Sequence, residues 1–326
     1  VLFAMLSVRQ TLQSKTRTTR QAQQHSLFCN NLRRSAYHPD ILQGSWIHSV
    51  KVQWFWQRFY CSVSDGNNGN CILVESFKTA HSDNQKLEVH KADCRQYIQH
   101  NDSPDDSAQK LIDEFKDYEN INIILNSSND GFAVANNIGF RNAKGEYTLL
   151  LNSDVIVKDD TINNTLSYIK DHPNAGAVGC RILLADGSLD KACKRSFPTV
   201  DVSFYRMCGL SKLFPNSPRF NRYNLSYLDE CEIHSIDCLV GAYMLMPSSL
   251  YKEVGGLDED YFMYGEDIDL CYKIKKLGYD VIYYGKNTIT HYKGASGKNK
   301  RLLYEFYNSM DIFYRKHYKD ENNFIV

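Results

Sequence analysis

Asp258, Glu259, Asp260, Glu266, Asp267 and Asp269 place six carboxylates within twelve positions. Aromatic residues separate the two clusters, and Ile268, Cys271, Ile274 and Leu277 then recur at helical spacing. That pattern predicts a helix whose first turn carries Glu266, Asp267 and Asp269. Free N–H groups and the helix dipole favour negative charge there and keep a carboxylate ionised near neutrality. An ionised carboxylate at the floor of a cleft can take a proton from a hydroxyl or help to hold a metal. Acids are also enriched at helix starts that serve only as caps, so the surrounding chemistry decides.

Asp154 closely follows Glu146–Asn152 (EYTLLLN), a continuous apolar run of the kind that forms a strand buried on both faces. A carboxylate at the end of such a strand suits a hard divalent cation, which takes oxygen ligands and completes its shell with phosphate and water. The same residue type also serves as a simple turn cap. His291, in THYKG, can be structural, ligate a metal or contact a phosphate. Asn129-Asp130-Gly131 form a strand-to-helix turn, and Asn136 and Asn137 follow inside the predicted helix. Asn is a poor helix-interior residue, so the pair implies polar partners. Gly241-Ala242 interrupt the apolar segment Ile236–Met246, where small residues let a ligand or another backbone approach. Together these residues describe a cleft suited to a metal-bound diphosphate.

The elements that must position them alternate along the chain. Strands are predicted at Cys71–Glu75, Tyr97–Gln99, Asn122–Leu125, Glu146–Asn152, Ala175–Ile182, Ile236–Met246 and Asp280–Tyr284. Helices are predicted from a Ser103-Pro104 start to Phe115, then over Gly131–Ala143, Thr161–His172, Ser248–Val254, the acidic stretch and Arg301–Tyr318. The alternation implies an α/β fold with a mostly parallel central sheet and flanking helices. Ligands of such sheets sit at the carboxyl ends of strands, where Asn152 and Asp154 fall. Residues 183–235 read as a loop-rich insertion of the sort that binds something. In the last helix Leu303, Phe306, Tyr307, Met310, Phe313 and Tyr314 make a stripe expected to pack or to face another subunit.

The chain of 326 residues has a net charge of zero, which gives no global electrostatic case for a nucleic-acid partner. The charge is uneven. Residues 1–60 carry eight Lys/Arg and one acid, Asp40, and the rest carry 30 against 37. Residues 1–95 are therefore expected to form an atypical basic region, irregular apart from Cys71–Glu75. Within it, Ser7–Gln24 resembles a targeting segment or a basic arm. Residues 96–326 are expected to form the folded domain. No apolar run approaches the roughly 18 residues of a spanning helix. The ten cysteines show no CxxC pair or zinc spacing. Cys180, Cys238 and Cys271 lie in apolar segments, which predicts buried free thiols and a reducing compartment.

NDGFAVANNIGF, GEYTLLLNSDVIV, VGAYMLM, GGLDEDYFMYGEDIDLCYKIKKLGY and ITHYKG, in this order and spacing, resemble glycosyltransferase family 2. This is an inverting family with the Rossmann-like GT-A fold, and the likeness is to its bacterial rhamnosyltransferase-like members, over about residues 100–318. The resemblance implies a nucleotide-diphosphate sugar donor, a divalent metal (Mn or Mg), and single-displacement transfer to a hydroxyl of a glycan or lipid-linked glycan acceptor. By position it makes Asp154 the metal-binding acid, with His291 near metal and diphosphate. Asp267 becomes the general base, with Glu266 beside it. Gly241 and Ala242 would line the donor sugar. Asn101, Asp105, Asn129, Gly131, Asn137 and Asn152 would lie along the rest of the donor.

The sequence departs from the family pattern at two places. Asn152 stands where the metal motif Asp-x-Asp usually begins, as in many members of this branch. His100 stands at the expected base-binding Asp, and only Cys71–Glu75 lies at a tolerable distance for the family's opening strand. Two other readings follow: an inactive or binding-only protein of the same fold, or a nucleotidyltransferase. The latter would want a Gly-rich basic phosphate loop near the start, and none is visible. The expected location is cytoplasmic, with a peripheral place at the inner face of a membrane.

Overall fold

The computed structural model describes residues 71–77, 94–102, 106–158, 160–292 and 300–319. The basic region 1–60, Ser103 and Asp105 lie outside the described residues. Among the described residues nine strands form one sheet: β1 (Cys71–Phe77), β2 (Cys94–Asn101), β3 (Ile121–Asn126), β4 (Tyr147–Asn152), β5 (Val155–Ile156), β6 (Ala175–Leu184), β7 (Ile233–Ile236), β8 (Tyr243–Pro247) and β9 (Asp280–His291). Their order is β3-β2-β1-β4-β8-β6-β9-β5, with β7 paired to β9. The helices are α1 (Ser107–Phe115), α2 (Phe132–Asn142), α3 (Thr161–Asp171), α4 (Val200–Met207), α5 (Leu210–Leu213), α6 (Ser248–Glu253), α7 (Glu266–Lys276) and α8 (Lys300–His317).

The sheet is mixed, not mostly parallel. Only the β2–β3 and β6–β9 pairs are parallel. β1 runs against both β2 and β4, and β8 runs against both β4 and β6. These reversals leave β2, β3, β4, β6 and β9 pointing the same way, so their carboxyl ends share one edge. The sheet also reaches upstream of residue 96, because β1 lies between β2 and β4.

Leu149, Leu150 and Leu151 of β4 are all buried. Successive side chains point to opposite faces of a strand, so three in a row require cover on both faces. α3 and α7 both lie along β6 and β9, and α6 lies along β4 and β8. Cys180, Cys238 and Cys271 are buried free thiols, as expected, and burial raises the pKa of each.

Two segments differ from expectation. Ile236–Met246 is not one strand. β7 ends at Ile236, Asp237–Ala242 form a crossing, and β8 starts at Tyr243. The stripe on α8 packs only in part, through Phe313 and Tyr314. Leu303, Phe306, Tyr307 and Met310 are exposed, while Ile312, Phe313 and Tyr318 pack with Tyr261. The helix has turned so that Ser309, Ile312 and Phe313 face the acidic loop, and aromatic periodicity alone does not reveal that rotation.

Gly131 sets the junction of α2 with that loop. Its φ is +101°, and a Cβ there would collide with the carbonyl oxygen of Phe262. The same oxygen accepts the Phe132 N–H at 2.8 Å, so the two backbones must touch. Gly131→Ala combines a strained backbone with a backbone collision. It is expected to destabilise the fold by about 2 kcal/mol or more, read as a lower urea midpoint at unchanged slope.

Candidate active site

Asp154 and His291 meet because the two-residue strand β5 pairs with the end of β9. Val155 lies opposite His291, and the Tyr292 N–H donates to the Asp154 carbonyl at 2.8 Å. His291 Nε2 then stands 3.0 Å from Asp154 Oδ1. On the other side of the ring, Asp190 Oδ2 lies 3.8 Å from Nδ1. Asp190 is buried and held by its own turn, where its Oδ1 accepts the Ala192 N–H at 3.1 Å.

Neighbouring ligands about 2.1 Å from an octahedral ion stand about 3.0 Å apart, so the Asp154–His291 separation fits a divalent cation. Among the described residues no group of three or more His, Cys, Asp or Glu side chains is arranged to hold a metal. Two donors suit an ion that leaves the rest of its shell to phosphate and water.

The acidic loop turns into α7 through two left-handed residues, Tyr264 (φ +71°) and Gly265 (φ +83°). Such backbone costs about 1–3 kcal/mol at a non-Gly residue and persists where packing enforces it. It aims Glu266 and Asp267 inward, and both are buried. Asp267 Oδ2 accepts from Arg195 Nη2 at 2.7 Å and from the Gly241 N–H at 3.3 Å. Arg195 Nη2 also donates to the Leu239 carbonyl at 2.6 Å. Burial works against the Arg195 charge, but the Asp267 carboxylate beside it leaves its pKa above the ordinary value.

Glu266 does not match the expectation of an ionised first-turn acid. Its Oε2 is buried with no hydrogen-bond partner. Burial, and then the charge of Asp267, push its pKa up to about 8. Two adjacent carboxyls and one guanidinium thus come close to neutral as a group, with Glu266 holding the proton.

Gly241 and Ala242 connect this cluster to the strand end that leads to Asp154 and His291. The Asn152 N–H donates to the Ala242 carbonyl at 3.1 Å, and the Gly241 N–H reaches Asp267. A Cβ on Gly241 would stand 3.4 Å from the Phe132 ring, so the crossing is narrow. Asn152 Oδ1 is buried with no partner, at the carboxyl end of β4. Asn101 ends β2 on the same edge. Its Oδ1 accepts from Asn126 at 2.8 Å, and its Nδ2 is buried without a partner. Asn129 Oδ1 caps the turn by accepting the Gly131 N–H at 3.3 Å.

Asn137 lies elsewhere. Its Nδ2 donates to the Leu257 carbonyl at 2.8 Å and to Glu259 at 2.9 Å. Its Oδ1 accepts from Tyr251 at 2.7 Å and from the Leu257 N–H at 3.1 Å. The polar partners that Asn in a helix implied are the protein's own loop. Asp190 and Arg195 were missed from the sequence, because their segment shows no periodicity. The polar run DGSLDKACKRS hides the pair in the sequence, although Lys194 too is buried and donates to the Leu225 carbonyl at 2.6 Å.

Residues 98–303 match the sequence profile described as "Glycosyltransferase like family 2". The chain belongs to glycosyltransferase family 2. The match replaces the nucleotidyltransferase alternative. Among family relatives, the Escherichia coli (strain K12) rhamnosyltransferase WbbL is 31% identical over 172 residues, 50% of this chain and 61% of the relative. The Mycobacterium tuberculosis N-acetylglucosaminyl-diphospho-decaprenol L-rhamnosyltransferase is 27% identical over 207 residues, 60% of this chain and 66% of the relative. The chain therefore spans less than two thirds of the length of either relative. A crystal structure of GalNAc-T7 with UDP, GalNAc and Mn2+ aligns at a TM-score of 0.49 and 14% identity, covering 69% of this chain and 42% of that one.

Removing the guanidinium leaves a buried, uncompensated carboxylate. Arg195→Met is expected to cost about 3–5 kcal/mol in urea unfolding. In the Arg195→Met/Asp267→Asn double variant the loss should fall well short of the sum of the singles. Glu266 supplies a pH signature. Its folded pKa of about 8 exceeds the ordinary 4.5, so between those values the folded state holds a proton that the unfolded state releases. Stability contributed at low pH is thus lost as pH rises through that window, by up to about 1.4 kcal/mol per pH unit. Glu266→Gln is expected to flatten this slope in urea midpoints taken from pH 5 to 8.

Proposed function

We propose that this chain transfers a sugar from a nucleotide-diphosphate donor to a hydroxyl of a glycan or lipid-linked glycan, with inversion at the anomeric carbon. The observation that carries the reading is the continuous link from Asp154 and His291, through Asn152 and the Ala242-Gly241 crossing, to Asp267. A diphosphate grip and a proton acceptor thus stand on one edge of the sheet. Asp154 and His291 would hold a divalent cation, Mn or Mg, which when bound neutralises the diphosphate and favours its departure.

The acceptor oxygen attacks the anomeric carbon, the bond to the diphosphate breaks, and the hydroxyl proton passes to Asp267. Arg195 holds the Asp267 carboxylate in place at 2.7 Å, and burial raises the pKa of Glu266 beside it. Asn101, Asn152, Gly241 and Ala242 line the donor, with Asn129 and Gly131 setting the turn beside it. Asn137 acts through the loop it pins, and Asp105 belongs to the same donor reading. The names of the two relatives support the finer reading of an L-rhamnosyl donor and a polyprenyl-diphosphate-linked acceptor. The family supports a role in polysaccharide or cell-wall glycan synthesis, and a lipid-linked acceptor would call for a peripheral, cytoplasmic place at a membrane. No helix among the described residues is long and apolar enough to cross one.

One observation favours the alternative of an inactive protein of the same fold with a defective nucleotide pocket. His100, at the expected base-binding position, is buried, and its Nε2 lies 2.8 Å from Ser107 Oγ. Calorimetry with a panel of nucleotide sugars and manganese separates the two readings, since no heat with any donor would sink transfer. If transfer occurs, Asp154→Ala should greatly weaken donor binding. Asp267→Asn should lower turnover by about 10²–10⁴-fold with little change in donor affinity. Full turnover in Asp267→Asn beside an inactive Glu266→Gln would move the base by one residue.

A further inference from the structure

The long segment between β6 and β7 carries a helical hairpin that the site does not use. α4 and α5 meet at Gly209, whose φ of +78° makes the sharp turn. Met207 and Leu213, which flank this turn, are 82% and 71% exposed, and Phe204 and Phe214 are about half exposed at 52% and 50%. Exposed apolar groups gathered in this way mark an interaction surface more often than a chance scatter. The hairpin is braced from below. The rings of Tyr205 and Phe220 meet edge-on at 5.2 Å, Val202 is buried, and Asn221 donates to the Pro215 carbonyl at 2.7 Å.

Charge identifies the partner. Residues 199–223 carry Arg206, Lys212, Arg219 and Arg222 against Asp201 alone, an excess of three positive charges in a chain whose total is zero. All four cations are exposed. The other exposed apolar surface, on α8, carries a smaller excess, with Lys300, Arg301, Arg315 and Lys316 against Glu305 and Asp311, and those two acids lie among its aromatics. An exposed apolar tip in a segment rich in exposed cations is the composition of an element that lies in a lipid headgroup layer.

We propose that the α4–α5 hairpin docks on an anionic phospholipid surface, with Met207 and Leu213 entering the headgroup boundary and the four cations facing lipid phosphates. Docking there would hold the cleft near a lipid-borne acceptor. Arg195, which grips Asp267, lies only a few residues before α4. The proposal deepens the peripheral placement given above. It is read without donor or turnover, so its failure leaves sugar transfer standing, and an inactive protein leaves it intact.

The test is flotation of the full chain with vesicles of phosphatidylglycerol and phosphatidylcholine, compared with phosphatidylcholine alone. Binding is expected only with the anionic vesicles and should weaken as salt rises. Met207→Ser/Leu213→Ser should reduce the bound fraction at limiting lipid about tenfold or more. Lys212→Glu, which alters charge alone at an exposed position, should reduce it about fivefold or more. Thermal melts of both variants should match the parent. Undiminished flotation of both variants would overturn the proposal and assign binding to another surface, such as the basic N-terminal region or α8. Absence of flotation in the parent would overturn it too. If the parent then sediments as a dimer and Met207→Ser/Leu213→Ser as a monomer, the hairpin joins two copies of the chain.

Discussion

The contact between Arg195 and Asp267 is the constraint on which the rest of the site depends. One guanidinium nitrogen reaches both the Asp267 carboxylate and the Leu239 carbonyl. The backbone of Arg195 pairs in both directions with Cys238. A buried guanidinium is tolerable only when its charge is answered, and here Asp267 at the start of α7 answers it while the β7–β8 crossing takes a second bond from the same nitrogen, with Nε left buried and unbonded. The pair therefore fixes how far the acidic helix stands from Gly241, and so the width of the gap over the sheet. It also explains why two adjacent carboxyls behave differently. Asp267 has the cation, whereas Glu266 has burial and a negative neighbour.

The second constraint is the length of β9. Its twelve residues pair with β7 and β6 and then run on to β5. A strand that stopped near Tyr284 would leave His291 in a loop. The longer ladder sets it across from Val155 and beside Asp154. A register shift between Cys180 and Arg181 lets β6 follow β9 through this extension. Two side chains drawn from separate loops would need separate ordering, but here the backbone ladder orders both Asp154 and His291. Holding an ion pair or a ligand pair on regular elements keeps its geometry within the narrow tolerance that binding a metal and a diphosphate requires.

Most elements were legible because their apolar periods are strong. β4 reads as a doubly buried strand from three consecutive leucines, and α7 begins at Glu266, where the acids and the helical spacing placed it. Asp154, His291, Asp267 and Gly241 stood out by residue type, and the structure brings Asp154 to His291 and Asp267 to Gly241. Strand direction was not legible, because an apolar run carries no sign of which way its neighbour runs. Which part of the α8 stripe packs was not legible either: Phe313 is buried, while Leu303, Phe306, Tyr307 and Met310 lie on the side the fold leaves open.

The sequence by itself determined the α/β class, the family, and the residue types at the carboxyl edge, since these follow from local spacing and composition. Tertiary structure alone decided which of them meet. It set Asp190 behind His291, placed Arg195 against Asp267 across 72 positions of sequence, and turned Asn137 into a pin for its own protein's loop. It also decided protonation, because a carboxyl's charge at neutral pH depends on what solvent and which charges remain beside it after folding. Glu266 and Asp267 are neighbours in the sequence, and only the packed interior makes them chemically unlike.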